Sequence, residues 1–172
     1  MVADCCSHQR AGTRRKGAPG RVLIRGCDGC RGGPTAMRFA GQGHHVGVVD
    51  SFARRRWVEE AGSHSLTPIV SLDERVQAWS EVSGKDIEPY VGDISEGTFI
   101  AEAVREFEPD AIVHYGEQPS APWSMKSVEH AVVTQANNVI GSLKLLWAMR
   151  DHAPAAHLIK LGTMGEYGTP NI

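Results

Sequence analysis

The chain has 172 residues, and its 18 basic and 20 acidic side chains give a formal net charge of -2 at pH 7. This length suits one domain with a hydrophobic core, and a near-neutral charge without a basic stripe argues against nucleic-acid binding. No apolar run approaches the roughly 20 residues that span a bilayer, and the first residues lack the apolar core of a secretory signal. We therefore expect no nucleic-acid partner, no membrane span and no secretion.

The first 20 residues are basic and show no hydrophobic periodicity; they include Arg14, Arg15 and Lys16. This composition predicts a disordered leader over residues 1–20. A remnant of a transit peptide is the alternative, because basic segments with few acids are typical of transit peptides. The folded domain is then predicted to occupy residues 21–172.

Strands and helices alternate from Arg21 onward. The segment RVLIR (21–25) predicts a strand, 26–33 a glycine-rich turn and 35–42 a helix, and HVGVVD (45–50) predicts a second strand. After a polar stretch, helical spacing of Val76 and Trp79 predicts an amphipathic helix over 73–82. A strand follows at 87–91, where Pro89 cannot donate to the sheet and predicts pairing on one side only.

The second half of the chain continues the same alternation. Ser95 is predicted to cap a helix that runs to Phe107, followed by a strand at 110–115, a long helix at 128–152 and a strand at 157–161. Alternating strands and helices predict a parallel sheet with helices on both faces. The expected fold class is α/β, a Rossmann-like doubly wound sheet, truncated after about the fifth strand.

Three glycines stand three residues apart between the first strand and the first helix. Gly26 would allow a tight turn, Gly29 would let the backbone approach a pyrophosphate, and Gly32 would let the helix pack closely on the sheet. The amides at the helix start would then face the anion. This arrangement predicts a dinucleotide-binding turn, although glycine-rich loops without such a role also occur.

An acidic residue, Asp50, ends the second strand about 20 residues after the glycines, where a carboxylate accepts hydrogen bonds from an adenosine ribose. This position favours NAD as the cofactor, because a carboxylate repels a 2′-phosphate. Arg54, Arg55 and Arg56 follow directly. They leave NADP as an alternative or form a solvated face.

The pair Cys27 and Cys30 forms a Cys-x-x-Cys pattern at a helix start, which is the context of redox-active thiols. A zinc site would require a second ligand pair, and Cys5 and Cys6 are adjacent to each other in the predicted leader. We therefore predict no metal site and keep redox chemistry as a minor alternative.

Three segments carry a resemblance to a known family: HYGEQPSAPWSM (114–125), TQANNVIGSLKLL (134–146) and KLGTMGEYGTPN (160–171). They resemble the UDP-sulfoquinovose synthases, which are extended short-chain dehydrogenases/reductases. The resemblance implies an enzyme in which bound NAD oxidises UDP-glucose at C4 of the sugar. A 4-keto-5-ene forms, sulfite adds, and the hydride returns to give UDP-sulfoquinovose, the precursor of a sulfolipid headgroup.

The resemblance also implies roles for particular residues. The expected pyrophosphate contacts are Gly26, Asp28, Gly29, Cys30 and Gly32. The expected contacts to adenosine are Asp50, Ser51 and Arg54, with Asp93 and Ile94 flanking the adenine. The expected cofactor contacts after the fourth strand are Gly116, Glu117 and Gln118, with Asn137 or Asn138 reaching inward from the long helix.

Thr163 would be the catalytic hydroxyl. Independently of the resemblance, a hydroxyl at the carboxyl end of a strand can hydrogen-bond the sugar O4 while a nearby base takes its proton. A turn-forming threonine is the alternative. Nucleotide-sugar 4,6-dehydratases carry an Asp-Glu pair after this threonine, whereas this chain has Met164 and Gly165, so a dehydratase is disfavoured. Glu166 is either an acid/base group or a surface carboxylate.

Two features depart from the family pattern. Pro119 stands where the synthases have an arginine, and none of Tyr90, Tyr115 and Tyr167 has a lysine four positions later to form the Tyr-x-x-x-Lys pair. We therefore expect the amino-terminal, NAD-binding part of a synthase, inactive by itself. The alternatives are a relative of the 4-epimerases and a non-catalytic nucleotide-binding module. The resemblance further implies a homodimer, located in the chloroplast of a photosynthetic eukaryote and otherwise in the cytoplasm.

Overall fold

The structure, a computed structural model, describes residues 18–162, and these residues contain one parallel five-stranded sheet. The strands are β1 (Arg21–Arg25), β2 (His45–Asp50), β3 (Ile87–Val91), β4 (Ala111–His114) and β5 (His157–Lys160). Their order across the sheet is β3-β2-β1-β4-β5. β1 therefore lies in the middle of the sheet, with β2 and β3 on one side of it and β4 and β5 on the other.

The helices connect successive strands. They are α1 (Gly32–Gly41), α2 (Ala53–Glu60), α3 (Leu72–Ser83), α4 (Phe99–Phe107), α5 (Ala121–Ser124), α6 (Val128–Gln135) and α7 (Gly141–His152), and a π-helical turn, Ala136–Ile140, joins α6 to α7. Core residues of α1 and α3 lie on one face of the sheet, and those of α4 and α7 on the other. The predicted Rossmann-like doubly wound fold is confirmed. Among the described residues, no helix combines the length and apolarity needed to cross a membrane.

The alternation of side chains in β1 divides the core into two halves. Val22 and Ile24 pack with residues of α1 and α3, whereas Leu23 packs with residues of α4 and α7. This follows from strand geometry, because successive side chains point to opposite faces of a sheet. Phe107, which is fully buried, contributes its ring to the second half. The central strand is thus covered on both faces.

The edge position of β3 agrees with the sequence. Pro89 lies opposite Val48 of β2, and β3 pairs only with β2 among the described strands. The predicted one-sided pairing at Pro89 is therefore confirmed. At the other edge β5 pairs with β4, and Ile159 remains 43% exposed. The strand predicted at 157–161 is present as β5, and it lies at an edge of the sheet that the described residues form.

One local expectation was wrong, and one helix was not predicted. Ser95 does not cap a helix: its backbone N–H and its hydroxyl both donate to Asp93 Oδ1 at 2.8 Å, and α4 begins only at Phe99. Aspartate often closes such a turn with the backbone two residues later, which competes with helix initiation. The polar stretch after Ser51 contains α2, whose only buried residue is Ala53.

Gly47 of β2 provides a test of packing in the second half of the core. A Cβ added there would lie 2.8 Å from Phe107 Cε2 and 2.9 Å from Leu23 Cδ1. We expect Gly47→Ala to lower the free energy of unfolding by about 1–3 kcal/mol, because overpacked cores strain their neighbours. Urea denaturation followed by circular dichroism measures the change.

The matched control is Gly41→Ala at the end of α1, where an added Cβ meets no heavy atom within 4 Å. We expect this variant to keep or slightly raise the free energy of unfolding, since alanine is the better helix former. Equal stabilities for the two variants would contradict the close packing at Gly47.

Candidate functional site

A cleft opens at the carboxyl ends of β1, β2 and β4. It lies where the chain passes from β1 to neighbours on opposite sides, which is where open α/β sheets bind ligands. Ten residues expected from the sequence to contact a cofactor line this cleft together. They are Gly26, Asp28, Gly29, Asp50, Ser51, Arg54, Ile94, Gly116, Glu117 and Asn137.

Backbone packing fixes the shape of the glycine turn. Gly26 has φ +90, and a Cβ there would lie 2.7 Å from the backbone nitrogen of Gly116. A Cβ on Gly32 would lie 2.3 Å from Gly26 O. A Cβ on Gly29, in contrast, would meet Gly26 O at an ordinary 3.4 Å. The fold therefore requires glycine at positions 26 and 32. At position 29 an alanine would fit the folded chain, so packing does not explain the glycine there.

The start of α1 fits an anionic group. Arg31 precedes the helix without a side-chain capping hydrogen bond, and the first turn contains no acidic residue. The first N–H groups of a helix lack partners within the helix and carry partial positive charge, so they favour an anion. The residues present at this position fit a pyrophosphate.

Asp50 is held rigidly at the end of β2. Its Oδ2 accepts a hydrogen bond from the backbone N–H of Asp28 at 2.7 Å, and its Oδ1 accepts one from Phe52 N–H at 2.8 Å. Each carboxylate oxygen retains a further acceptor site, so the side chain can still accept hydroxyl groups. This geometry fits a ribose diol. Ser51 and the exposed Arg54 border the same part of the cleft.

Asp28 has partners other than the expected pyrophosphate. Its carboxylate, with a side chain only 6% exposed, accepts hydrogen bonds from Arg55 and Arg75. The carboxylate is therefore occupied by these two arginines, and the backbone of Asp28 is the part that remains available to an anion. The pyrophosphate role of Asp28 stays a prediction for its backbone alone.

Side chains of the π-helical turn hold the loop after β4. Asn138 accepts a hydrogen bond from Gln118 N–H at 2.8 Å and donates one to Gln118 O at 3.0 Å. Asn137 Nδ2 lies 3.5 Å from Gly116 O. π-Helical turns are frequent at functional sites, and this one places two amides against one loop. Glu117 in the same loop forms an ion pair with Lys160.

Four predicted residues lie outside the main cleft. Cys30 and Gln118 line an adjoining cleft, together with Pro119 and the last described residue, Gly162. The carboxylate of Asp93 accepts hydrogen bonds from Ser95, and Gly32 packs against the backbone of Gly26 and Cys27. Thr163 lies outside the described residues, so its catalytic role stays a prediction.

Arg25 is a site residue that the sequence reasoning missed. Its guanidinium, 7% exposed, lines the floor of the cleft and donates to Asn137 Oδ1 at 2.8 Å. Burial lowers the pKa of Arg25 to about 10, against the opposing effect of Asp50, Asp93 and Glu117, so the group stays cationic at neutral pH. The available signal was a charged residue directly before Gly26, at the end of the apolar run 22–24.

His114, at the end of β4, shares a buried polar network with Arg25. An Arg25 guanidinium nitrogen lies 3.3 Å from His114 Nε2, and Ser142 Oγ lies 3.2 Å from the same nitrogen. His114 is 1% exposed. Burial, with the charges of Arg25 and Lys160, lowers the pKa of His114 to about 3. The imidazole is therefore a neutral neighbour of the buried cation at neutral pH.

The cysteine pair does not resemble a redox centre. Cys27 is fully buried, and its Sγ lies 3.1 Å from Ile24 O, whereas Cys30 is exposed. Burial raises the pKa of the Cys27 thiol, which disfavours the reactive thiolate. Among residues 18–162, no group of three or more His, Cys, Asp and Glu side chains is placed to hold a metal ion.

Comparison with known proteins decides the family. Residues 22–172 match the sequence profile of the NAD dependent epimerase/dehydratase family. The chain belongs to that family. It is 47% identical over 152 residues to UDP-sulfoquinovose synthase, chloroplastic, from Spinacia oleracea, an alignment that covers 88% of this chain and 32% of the spinach protein.

Two further similarities extend this comparison. UDP-sulfoquinovose synthase from Sulfolobus acidocaldarius is 45% identical over 150 residues, which cover 87% of this chain and 38% of the archaeal protein. The chain thus spans about a third of the length of these curated relatives. A crystal structure of UDP-glucose-4-epimerase from Stenotrophomonas maltophila, with bound NAD and formylated UDP-arabinopyranose, superposes with a TM-score of 0.66 at 24% identity. The superposition covers 89% of this chain and 40% of the epimerase and shows that the two share a fold.

The depressed pKa of His114 makes stability depend on pH. Above about pH 6.5 the histidine is neutral in both states, whereas below it the unfolded chain binds a proton that the folded chain refuses. Stability is therefore lost as the pH falls from 6.5 towards 3. We expect His114→Gln, which cannot titrate, to lose about 2 kcal/mol less than the wild type between pH 7 and pH 5.

Urea denaturation of both proteins at the two pH values measures this difference, and the other titrating groups cancel in the comparison. Equal losses of stability in the two proteins between pH 7 and pH 5 would contradict the lowered pKa, because His114 would then take up its proton equally in the folded and the unfolded chain. An NMR titration of the His114 imidazole with a midpoint near pH 6.5 would contradict it as well.

Proposed function

We propose that this chain is the NAD-binding part of a UDP-sulfoquinovose synthase, which converts UDP-glucose and sulfite to UDP-sulfoquinovose and water. The observation that carries the proposal is the identity of 45–47% to two such synthases, one from a plant and one from an archaeon, over nearly all of the chain. The cleft at the carboxyl ends of β1, β2 and β4 supports it, because its residues fit the adenosine and pyrophosphate of NAD.

In this proposal each part of the cleft holds one part of NAD. The turn from Gly26 to Gly32 and the start of α1 bind the pyrophosphate, and Asp50 accepts the hydroxyl groups of the adenosine ribose. Ile94, 1% exposed, supplies an apolar wall for the adenine. Gly116 and Asn137 border the cofactor from the β4 side. When bound, NAD supplies a reversible hydride acceptor for C4 of the sugar.

The reacting sugar would lie next to the adjoining cleft, beyond the loop after β4. Leu161 and Gly162 of the described chain line this cleft and lead to Thr163, the proposed catalytic hydroxyl. The hydroxyl would hydrogen-bond the sugar O4 while a base removes its proton. Met164 and Gly165 in place of an acidic pair favour the synthase over a 4,6-dehydratase.

The runner-up function is that of a 4-epimerase. The superposed epimerase structure is 24% identical to this chain, which supports a common fold and not a common substrate. The higher identity to the two synthases therefore favours sulfite chemistry. The division into residues 1–20 and an NAD-binding domain over 21–172 remains part of the proposal.

A homodimer is also part of the proposal. Five apolar side chains of α6, the π-helical turn and α7 are about half exposed: Val132, Val139, Leu143, Leu146 and Trp147. Exposed apolar patches mark interaction surfaces, and twofold dimers are the commonest homo-oligomers. For location we propose the chloroplast in a photosynthetic eukaryote, by likeness to the spinach protein, and otherwise the cytoplasm.

The pyrophosphate site can be tested at Gly29, where an added methyl fits the folded protein. We expect Gly29→Ala to weaken NAD binding by roughly tenfold or more, because the methyl occupies the path by which the backbone approaches the pyrophosphate. Isothermal titration calorimetry measures the affinity, and urea denaturation should give unchanged stability. Gly41→Ala is the control and should bind NAD like the wild type; equal affinity in Gly29→Ala would contradict the site.

The catalytic assignment can be tested in a chimera that carries residues 22–172 of this chain in place of the matching part of the spinach synthase. We expect UDP-sulfoquinovose to form from UDP-glucose only when sulfite is present.

In the same chimera, Pro119→Arg, in the adjoining cleft, should lower the KM for UDP-glucose by about tenfold by restoring a charged hydrogen bond. Pro154→Arg, at an exposed position after α7, adds the same charge as a control. A chimera that converts UDP-glucose to UDP-galactose without sulfite would instead support the epimerase.

A further inference from the structure

The carboxylate of Asp28 binds two arginines that come from different helices. Arg55 of α2 donates through Nε to Asp28 Oδ2 at 2.7 Å and through a terminal nitrogen to Oδ1 at 2.6 Å. Arg75 of α3 donates to Oδ1 at 2.5 Å. We call these three residues the Asp28 clamp. Its carboxylate is 6% exposed, so both ion pairs are shielded from water on the side of the acid.

The Asp28 clamp borders the position proposed for the adenosine ribose. The backbone N–H of Asp28 donates to Asp50 Oδ2 at 2.7 Å, so the clamp and the ribose acceptor are joined by one hydrogen bond. Arg55 also donates to the carbonyl oxygens of Ile69 at 3.1 Å and Val70 at 2.9 Å. The guanidinium of Arg55 is thereby held in place from both sides.

A guanidinium binds a phosphate with the same paired geometry as a carboxylate. Arginines that follow the second strand can accommodate the 2′-phosphate of NADP, and the sequence offers three of them. In the folded chain, Arg55 is already occupied by Asp28, and so is Arg75. The exposed Arg54 lines the same cleft as Asp28 and Asp50.

We propose that Asp28 determines the preference for NAD over NADP by occupying Arg55 and Arg75, which would otherwise bind a 2′-phosphate. Asp28 is a positioning residue in this scheme, because it acts on the cofactor through the two arginines. The inference rests on the proposed NAD site and extends it to the choice between the two dinucleotides. A carboxylate in the glycine turn thus replaces the phosphate that the arginines would recognise.

The test compares ADP-ribose with 2′-phospho-ADP-ribose, two probes that differ only in the 2′-phosphate, by isothermal titration calorimetry on the whole chain. In Asp28→Asn the two guanidiniums lose their anion while the side chain keeps its size. We expect the affinity for 2′-phospho-ADP-ribose to rise by roughly tenfold or more, since charged hydrogen bonds replace those to Asp28. The readout is the ratio of the two affinities, because Asp28 lies in the proposed pyrophosphate turn and a change there that affects both probes equally cancels in the ratio.

The matched control is Asp151→Asn, which removes a carboxylate paired with Arg150 at the far end of α7. It should leave the ratio of the two affinities unchanged. If Asp28 only holds the helices together, Asp28→Asn will lower stability without changing that ratio, and the inference is overturned. A wild-type chain that binds neither probe overturns the proposed NAD site itself and the inference with it.

Two guanidiniums without an anion could prevent Asp28→Asn from folding. The double variant Asp28→Asn/Arg75→Gln removes one of the two cations and leaves Arg55 free. We expect a smaller gain in affinity for 2′-phospho-ADP-ribose, about threefold, because one charged group remains. A double variant with the affinity ratio of the wild type overturns the inference.

Discussion

The site depends on how closely the ends of β1 and β4 approach each other. No side chain fits between Gly26 and the backbone of Gly116, so two loops from opposite halves of the sheet meet at one point. The start of α1 is then directed at the opening between these loops, and the amides of Asn137 and Asn138 can reach the second loop from behind. A larger residue at this contact would separate the loops and remove the cleft.

The buried charges under the cleft form a balanced arrangement. Arg25 is buried beside amide and imidazole groups, and its carboxylate neighbours act on it from a longer range. A second cation beside it would be costly in a medium of low dielectric constant, which is why the neutral state of His114 is needed there. The floor of the cleft is thus positive, whereas Asp50 at its rim is negative.

Much of this architecture could be predicted from local patterns. The strands could be predicted because they are short apolar segments that alternate with turns and helices. The helix over 73–82 could be predicted from the spacing of its apolar residues. The helix α2 was missed, because ARRRWVEE buries only Ala53 and shows no apolar stripe. Contacts between distant parts of the chain had no local signal: Arg75 lies 47 residues from Asp28, yet the two are in direct contact.

The π-helical turn, Ala136–Ile140, has a geometric consequence for the helices on either side of it. An α-helix advances by about 100° per residue, and a π-helical turn holds one residue more than the α-helical turn it replaces. The faces of α6 and α7 are therefore out of phase by about a quarter of a turn. Thr134 of α6 can bond to Ser124 while Leu145 and Ala148 of α7 remain in the core. The one extra residue in the π-helical turn thus lets α6 and α7 pack against two surfaces that a regular α-helix of the same length could not contact at the same time.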